Sequence, residues 1–495
     1  MPTNSYDLIV IGDDFAGLVA ATLCARRGLR VLVCKSSETQ VSYTLGPYTL
    51  PVAALPFAGL TSPAVRRVTE ELHFEHTLKR KLRQHEPAFQ LVGPDARIDV
   101  DADQMHLERE LARELPDQQD VAEAYQGASD ISRHFDPVLG QDVAFPPAKF
   151  WERREVSRNM ARLADEANAW FDSTEDNDLV RCFLELPAVA SARCNPFALS
   201  AEARARCFDV WRRGTPRVIG DWQTLRDLFE DKLTTHSGEI RRARIAELTF
   251  SWGKATGIRL DSGEELGANH IIAALPVHEL QPLAQKKNSK RLAECVDKIS
   301  AAGYRYTLNM VVDDAGIPEG MADTVLVVND VHAPLIGDNA FAIYVDEPDA
   351  EARALVTVEA VCPTPSEGQS LEDQFADLRV GLRQELESVM PFFSEHVLLA
   401  HSPHESIAAE GGDGKLSLAH PIAPEPIWSS QLDPYMGVTA VPYSVGIKHL
   451  TIASSQVLSG LGLEGDFAAG WCAAKIACTA MGKKIDPVKT DLFAS

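Results

Sequence analysis

Tyr6-Asp-Leu-Ile-Val-Ile-Gly12-Asp13-Asp14-Phe15-Ala16-Gly17-Leu18, continued after a helical stretch by Arg30-Val-Leu-Val-Cys34-Lys35, decides the fold. Leu8 to Ile11 is a short apolar run closed by a glycine, the mark of a strand buried on both faces. Ala16 to Arg27 is rich in helix formers (Ala20, Ala21, Leu23, Ala25), and Gly28 stands where a helix C-cap belongs. Val31 to Cys34 reads as a second buried strand. Strand, tight turn, helix and parallel strand make a βαβ unit and place the chain in the α/β class.

A βαβ unit of this kind opens a Rossmann-like, dinucleotide-binding domain when its turn reads G-x-G-x-x-G. The first glycine makes the turn, the second lets the backbone touch a pyrophosphate, and the third packs helix on strand. Here the pattern is Gly12-x-Asp14-x-x-Gly17, with Ala16 between. Turn and packing glycines are kept, and the pyrophosphate glycine is an aspartate. The second strand should end in Asp or Glu, which accepts the ribose hydroxyls; it ends in Lys35. The fold signal is intact and the ligand signal is broken at two places.

The chain of 495 residues is long enough for two or three domains. A hydrophobic content of 45% and a mean hydropathy of −0.12 describe a globular protein. The formal charge of −23 argues against nucleic acid and against unspecific binding to anionic membranes. Nine cysteines without C-x-x-C spacing suggest neither a disulfide framework nor zinc, and a reducing, cytoplasmic setting is expected. The N-terminus runs straight into the first strand, without room for a signal peptide. No apolar run approaches the roughly 20 residues of a membrane span.

Further along, residues 43–50 read as a short hairpin or strand pair, 63–87 hold a helix of mixed charge, and 88–100 read as two short strands. Most of 117–213 reads as helical. Val156, Met160, Leu163, Ala167 and Trp170 form one apolar helical stripe, with Arg153, Arg154, Arg158 and Arg162 off it; a solvated face opposite a core stripe is the plain reading, a docking face the sharper one. Strands follow at 245–251, 256–260 and 270–274, then at 304–312, 325–329, 341–345 and 355–361, and a helix at 371–390. The second diagnostic stretch is Leu450-Thr-Ile-Ala453-Ser454-Ser455-Gln456, followed by Gly460-Leu-Gly462-Leu463-Glu464-Gly465. It reads as strand, glycine-rich turn and small-residue helix, whose first amides are free to hold an anion.

Together these stretches resemble the flavin-dependent amine oxidase and phytoene (carotenoid) desaturase superfamily. Arg217-Val-Ile-Gly220, Gly238-Glu-Ile240, Gly257 to Gly263 and Ile271 to Pro276 follow its middle pattern. The resemblance implies an FAD-binding, Rossmann-like domain from 1–88, 214–290 and 410–495. It implies a discontinuous α+β substrate domain from 89–213 and 291–409, a helical segment with an antiparallel sheet. It also implies an FAD site at Gly12, Asp14, Ala16, Gly17, Lys35, Ser454, Ser455, Gly462, Leu463 and Glu464.

Four departures lie along that one ligand. Asp14 and Lys35 are two. No glycine occurs from Ser36 to Ser42, where the family has a Gly-Gly-Arg type loop, and Ser454-Ser455 replaces its C-terminal Gly-Asp. At about 4 Å and an effective dielectric of about 20, Asp14 opposes each phosphate charge by roughly 4 kcal/mol. The expectation is that FAD is absent or weakly bound. The chain then keeps the fold as a binding, escort or assembly subunit for an apolar small molecule or a protein partner, alone or in an oligomer. Rab escort and GDP-dissociation inhibitor proteins are the family precedent. The alternative is an active FAD-dependent oxidoreductase that dehydrogenates an apolar or amine substrate.

No catalytic residue can be named. His73 and His76, near Glu70, Glu71 and Glu75, read as a helix surface rather than a metal site. Asp14 and Lys35 are expected to approach each other and close the adenosine groove from within; the rival is a Lys35 that greets a 2′-phosphate. A cavity between the domains, if present, should have mainly apolar walls.

Overall fold

The computed structural model describes residues 4–482, apart from 37–38, 55, 117–120, 148–149, 288, 407, 412–417 and 433–434. The first strand, Asn4–Gly12, lies in the middle of a seven-stranded sheet. It pairs in parallel with Val31–Lys35 on one side (Ile9 beside Leu32) and with Glu265–Ala274 on the other (Ile9 beside Ile271). Glu239–Arg242 extends the sheet beyond the second strand, and Leu450–Ile452 runs parallel to Glu265–Ala274. Only the hairpin strands Ile245–Ser251 and Lys254–Leu260 are antiparallel. A strand with parallel neighbours on both sides has both faces covered, which is why Leu8 to Ile11 are all apolar and all fully buried.

The first helix, Phe15–Arg26, packs on this sheet, and the last helix, Gly462–Ala480, packs against it. Both approaches need glycine. A Cβ on Gly17 would stand 2.1 Å from the Ala274 Cβ, and one on Gly470 would stand 2.6 Å from the Ala16 carbonyl oxygen. Gly12 has φ +104°, and a Cβ there would meet the Ala274 carbonyl oxygen at 2.1 Å. The two glycines kept from the fingerprint are thus required by the fold itself, with no ligand involved. The last helix begins three residues earlier than Gly465, at Gly462, where φ is +53°.

A second, nine-stranded sheet carries Ile299–Asp313, Thr324–Val328, Ala340–Val345 and Arg353–Pro363, all antiparallel as expected. Phe89–Val92 joins it in parallel beside Thr324–Val328. Glu425–Ser430 pairs with Ile299–Asp313 and therefore belongs to this sheet. Helices from 121 to 212 pack beside it, and Leu371–Val389 packs its apolar face (Phe375, Leu382, Leu386) on the strands. In Phe150–Asp172, Val156, Leu163 and Ala167 are buried while Arg154, Arg158 and Arg162 are exposed, so that stripe is core; the side chains of Arg153 and Met160 lie outside the described residues. The 63–87 segment holds the expected helix and a second, shorter one. Pro63–Glu71 and Glu75–Lys79 are separated at His73, where φ is +53°.

Among the described residues no helix is long and apolar enough to cross a membrane, and no group of His, Cys, Asp and Glu could hold a metal ion. All nine cysteines are free.

Candidate functional site

The parallel strands end at a crevice formed by the first turn, the 453–456 turn, and the start of the last helix. At the first turn Asp14 is the N-cap of the first helix, with φ −65° and ψ 141°. One carboxylate oxygen accepts the Ala16 amide at 3.1 Å, and the other accepts the Ser455 amide at 2.8 Å. A helix N-terminus favours an anion. Here the anion is the chain's own, and it ties the first turn to the last.

Lys35 does not meet Asp14 in the way the sequence suggested. Its Nζ lies 3.4 Å from the Asp13 carboxylate and 3.1 Å from that of Glu230, and its side chain is only 4% exposed. Both Asp14 oxygens point at backbone amides, because an N-cap side chain turns toward its own helix, so the adjacent Asp13 faces the strand end instead. Asp13 also accepts the Thr39 amide at 2.6 Å, and Arg226 reaches both its carboxylate and its carbonyl oxygen. The end of the second strand is therefore closed from within, by Asp13, Lys35, Arg226 and Glu230.

At the other end of the crevice, Gly462 and Leu463 turn the chain into the last helix. Glu464 in its first turn is bound by Arg206, which is wholly buried: Nε to Oε2 is 3.1 Å, with a second contact from Nη2. Arg206 stands on Ala201–Arg212, a helix of the second domain, and also donates to Ser132 and to Asp136 (2.8 Å). Arg193 bridges in the same sense, to buried Asp466 of the last helix and to Glu425 at 2.9 Å. Burial raises the Asp466 carboxyl to about 7 against the pull of Arg193, and the negative charge of Asp14 adds to the rise. Ser454 is buried beside this network, and its hydroxyl has no partner among the described residues.

These ions leave little room. The cavity bounded by Ala58, Arg193, Arg206, Trp222, Leu463 and Glu464 has a volume of about 30 Å³. A drug-sized ligand needs roughly 300–1,000 Å³. A cleft of about 380 Å³ lies at the seam beside Ser42, Ala54, Arg217, Asp221 and Trp222. Its walls are mixed: Leu50, Pro51, Val218, Trp222 and Leu355 stand beside Arg217, Asp221 and Asp346. Phe15, directly after Asp14, is locked edge-on among Phe229, Phe467 and Trp222, so the turn is held from behind.

The structure thus brings Asp14, Ala16, Ser455 and Glu464 into one crevice, with Gly12, Gly17 and Gly462 shaping its backbone. The residues that fill it, Asp13, Arg193, Arg206, Arg226 and Asp466, carried no motif. Arg206 lies in an arginine-rich helical run whose sequence does not mark which arginine points inward. The signal for Asp14 was present: an aspartate immediately before a helical run is a preferred N-cap.

No protein-family model and no curated protein sequence matches the chain. Among solved structures, a putrescine oxidase double mutant superposes with TM-score 0.62 at 14% identity, covering 97% of this chain and 100% of its own. Cyclohexylamine oxidase from Brevibacterium oxydans gives 0.59 at 13%, covering 97% and 100%. A Rab GDI from Plasmodium falciparum gives 0.54 at 10%, covering 98% and 99%. The chain has the fold of the flavin amine oxidases over its whole length. That architecture also carries a Rab GDI, so it does not choose between chemistry and binding.

The residues of the crevice do not fit a dinucleotide held in the family manner. The Ala16 amide of the first helix and the Ser455 amide hold Asp14, and the strand end that would meet the ribose carries Lys35 paired with Asp13 and Glu230.

Proposed function

We propose that the chain is a flavin-free relative of the amine oxidases that serves as a binding or assembly subunit. One observation supports the reading: Asp14 caps the first helix and holds the Ser455 amide, while Lys35 and Glu464 are already paired with Asp13 and Arg206. A charge built into the polypeptide is present at a high effective concentration, so a dinucleotide would have to displace it and then face its repulsion. The small cavity beside Arg193, Arg206 and Glu464 supports a scaffold for a protein partner, while the cleft at the seam beside Trp222 keeps a small apolar ligand as the second reading. Nine free cysteines suit a reducing, cytoplasmic setting.

The test is the absorption spectrum of the purified full-length protein, followed by titration with FAD. A colourless protein that does not quench flavin fluorescence is expected. A yellow protein with stoichiometric flavin would overturn the proposal and return the chain to the oxidoreductases acting on apolar or amine substrates.

A further inference from the structure

The hairpin joining Ile245–Ser251 to Lys254–Leu260 turns through Trp252 and Gly253, with φ of +50° and +75°. Two consecutive positive φ values are what Asn-Gly supplies at least strain in such a turn. Tryptophan there is held in a region that bulky side chains rarely adopt. It is also 98% exposed, against 72% for Trp151, the next most exposed large apolar side chain among the described residues. The fold gains no burial from Trp252 and bears its backbone strain. An outlier without a structural return points to a partner.

Cations surround it. Lys254 follows in the chain and is bridged to Lys448 on the neighbouring segment. A Cβ on Gly253 would stand 3.0 Å from the Nζ of Lys287, so that ammonium lies at the turn. Lys286 reaches Glu247 at 2.7 Å. Arg291, one residue after Lys290, packs beside Gly446, which brings this helix start next to Lys448. Of the nearby carboxylates, Glu247 is shared by Lys286 and Arg259, and Glu294 is taken by Lys298. The whole-chain charge of −23 speaks against anionic partners in general. At physiological ionic strength, however, fields fade within about 8 Å, so a local patch governs what touches it.

We propose that this hairpin tip is a membrane-contact surface, with Trp252 entering the headgroup layer of an anionic bilayer. Lys254, Lys286, Lys287, Lys290, Arg291 and Lys448 would then lie over lipid phosphates. Two features favour lipid over a protein. The patch is built of lysine rather than arginine, and lysine is depleted from protein interfaces while it is common where anionic headgroups are bound. The tryptophan also stands on a projecting turn, and its amphipathic ring is at home at the membrane–water boundary. The inference is independent of whether flavin is bound.

Flotation of the full-length chain with vesicles tests it. Vesicles of equal parts phosphatidylglycerol and phosphatidylcholine should carry the protein at about 0.1 M salt and release it near 1 M, where the screening length falls to about 3 Å. Pure phosphatidylcholine should not carry it. Trp252→Asn, which installs the preferred turn, should lower the bound fraction about fivefold with melting temperature unchanged or raised. The triple variant Lys286→Ser, Lys287→Ser, Lys290→Ser should do the same. No flotation of the wild type, or flotation indifferent to both variants, would overturn the proposal. So would retention on polyglutamate or single-stranded DNA, lost in the same variants, with no vesicle binding.

Discussion

A carboxylate at position 14 does for the first helix what a bound phosphate does elsewhere: it satisfies amides that otherwise lack partners. Asp14→Gly restores the family glycine but removes a cap and the link to Ser455. We expect a loss of a few tenths of a kcal/mol for the cap and about 1 kcal/mol for the Ser455 hydrogen bond in urea unfolding, and no gain of FAD binding, because Arg193–Asp466 and Arg206–Glu464 still close the crevice. Nanomolar FAD binding by this single variant would show that Asp14 alone excludes the cofactor. Two buried histidines contribute to the acid response. Burial lowers the imidazoles of His270 and His404 to about 4. At these two groups the unfolded chain, with ordinary values near 6.5, binds more protons across that interval, so their contribution is full above about 6.5 and is lost as pH drops toward 4, while the raised carboxyl of Asp466 works in the opposite sense. His404→Gln should flatten the fall in melting temperature between those limits. At this scale the sequence showed that position 14 was unusual, but not which neighbour would meet Lys35. That depended on the direction of two adjacent side chains on one turn, which the N-cap geometry decides.

Among the elements, the βαβ unit was legible because its requirements are local: an apolar run for a two-sided strand, small residues for a close helix, glycine at the turn. The same reasoning explains what was not. The helix held by 63–87 stops at Glu71, before His73 takes a left-handed conformation, an end which the composition does not announce. The last helix starts earlier than Gly465 because Gly462 turns tightly against the Ser191 carbonyl oxygen, a contact far away in sequence. Helix packing supplies a direct test of why two fingerprint glycines survive without a phosphate to bind. Gly17→Ala drives a methyl into Ala274, at 2.1 Å, between elements that cannot both move. A destabilisation of about 1–3 kcal/mol is expected from chemical denaturation, with flavin content unaffected. A neutral result would mean that the first helix is free to shift, and the glycines would then need another explanation.

Across the whole molecule, the two sheets and their separate apolar cores are joined by buried ion pairs, Arg193 with Asp466 and Arg206 with Glu464. The stitching was invisible in the sequence, since Arg193 lies in the connection before the helix Ala201–Arg212, Arg206 lies on that helix, and their partners come from the end of the chain, more than 250 positions away. A buried pair of this kind is costly to break from one side. Arg206→Met leaves Glu464 charged and unpaired in a dry site, and about 3–5 kcal/mol should be lost. Asp136 retains Arg213 at 3.1 Å, so the loss belongs chiefly to Glu464. Adding Glu464→Leu removes the stranded charge and should recover most of the stability, because well-packed apolar groups replace buried ion pairs at little net cost. The double variant separates two roles of the pair. If Arg206–Glu464 and Arg193–Asp466 couple the domains, calorimetry of the wild type should show one transition. Arg193→Met with Arg206→Met should then split it into two, as the cores lose their shared ions and unfold separately. A single transition that merely moves to lower temperature would place the coupling elsewhere, in the strand Glu425–Ser430 and the turns that carry the chain between the two sheets.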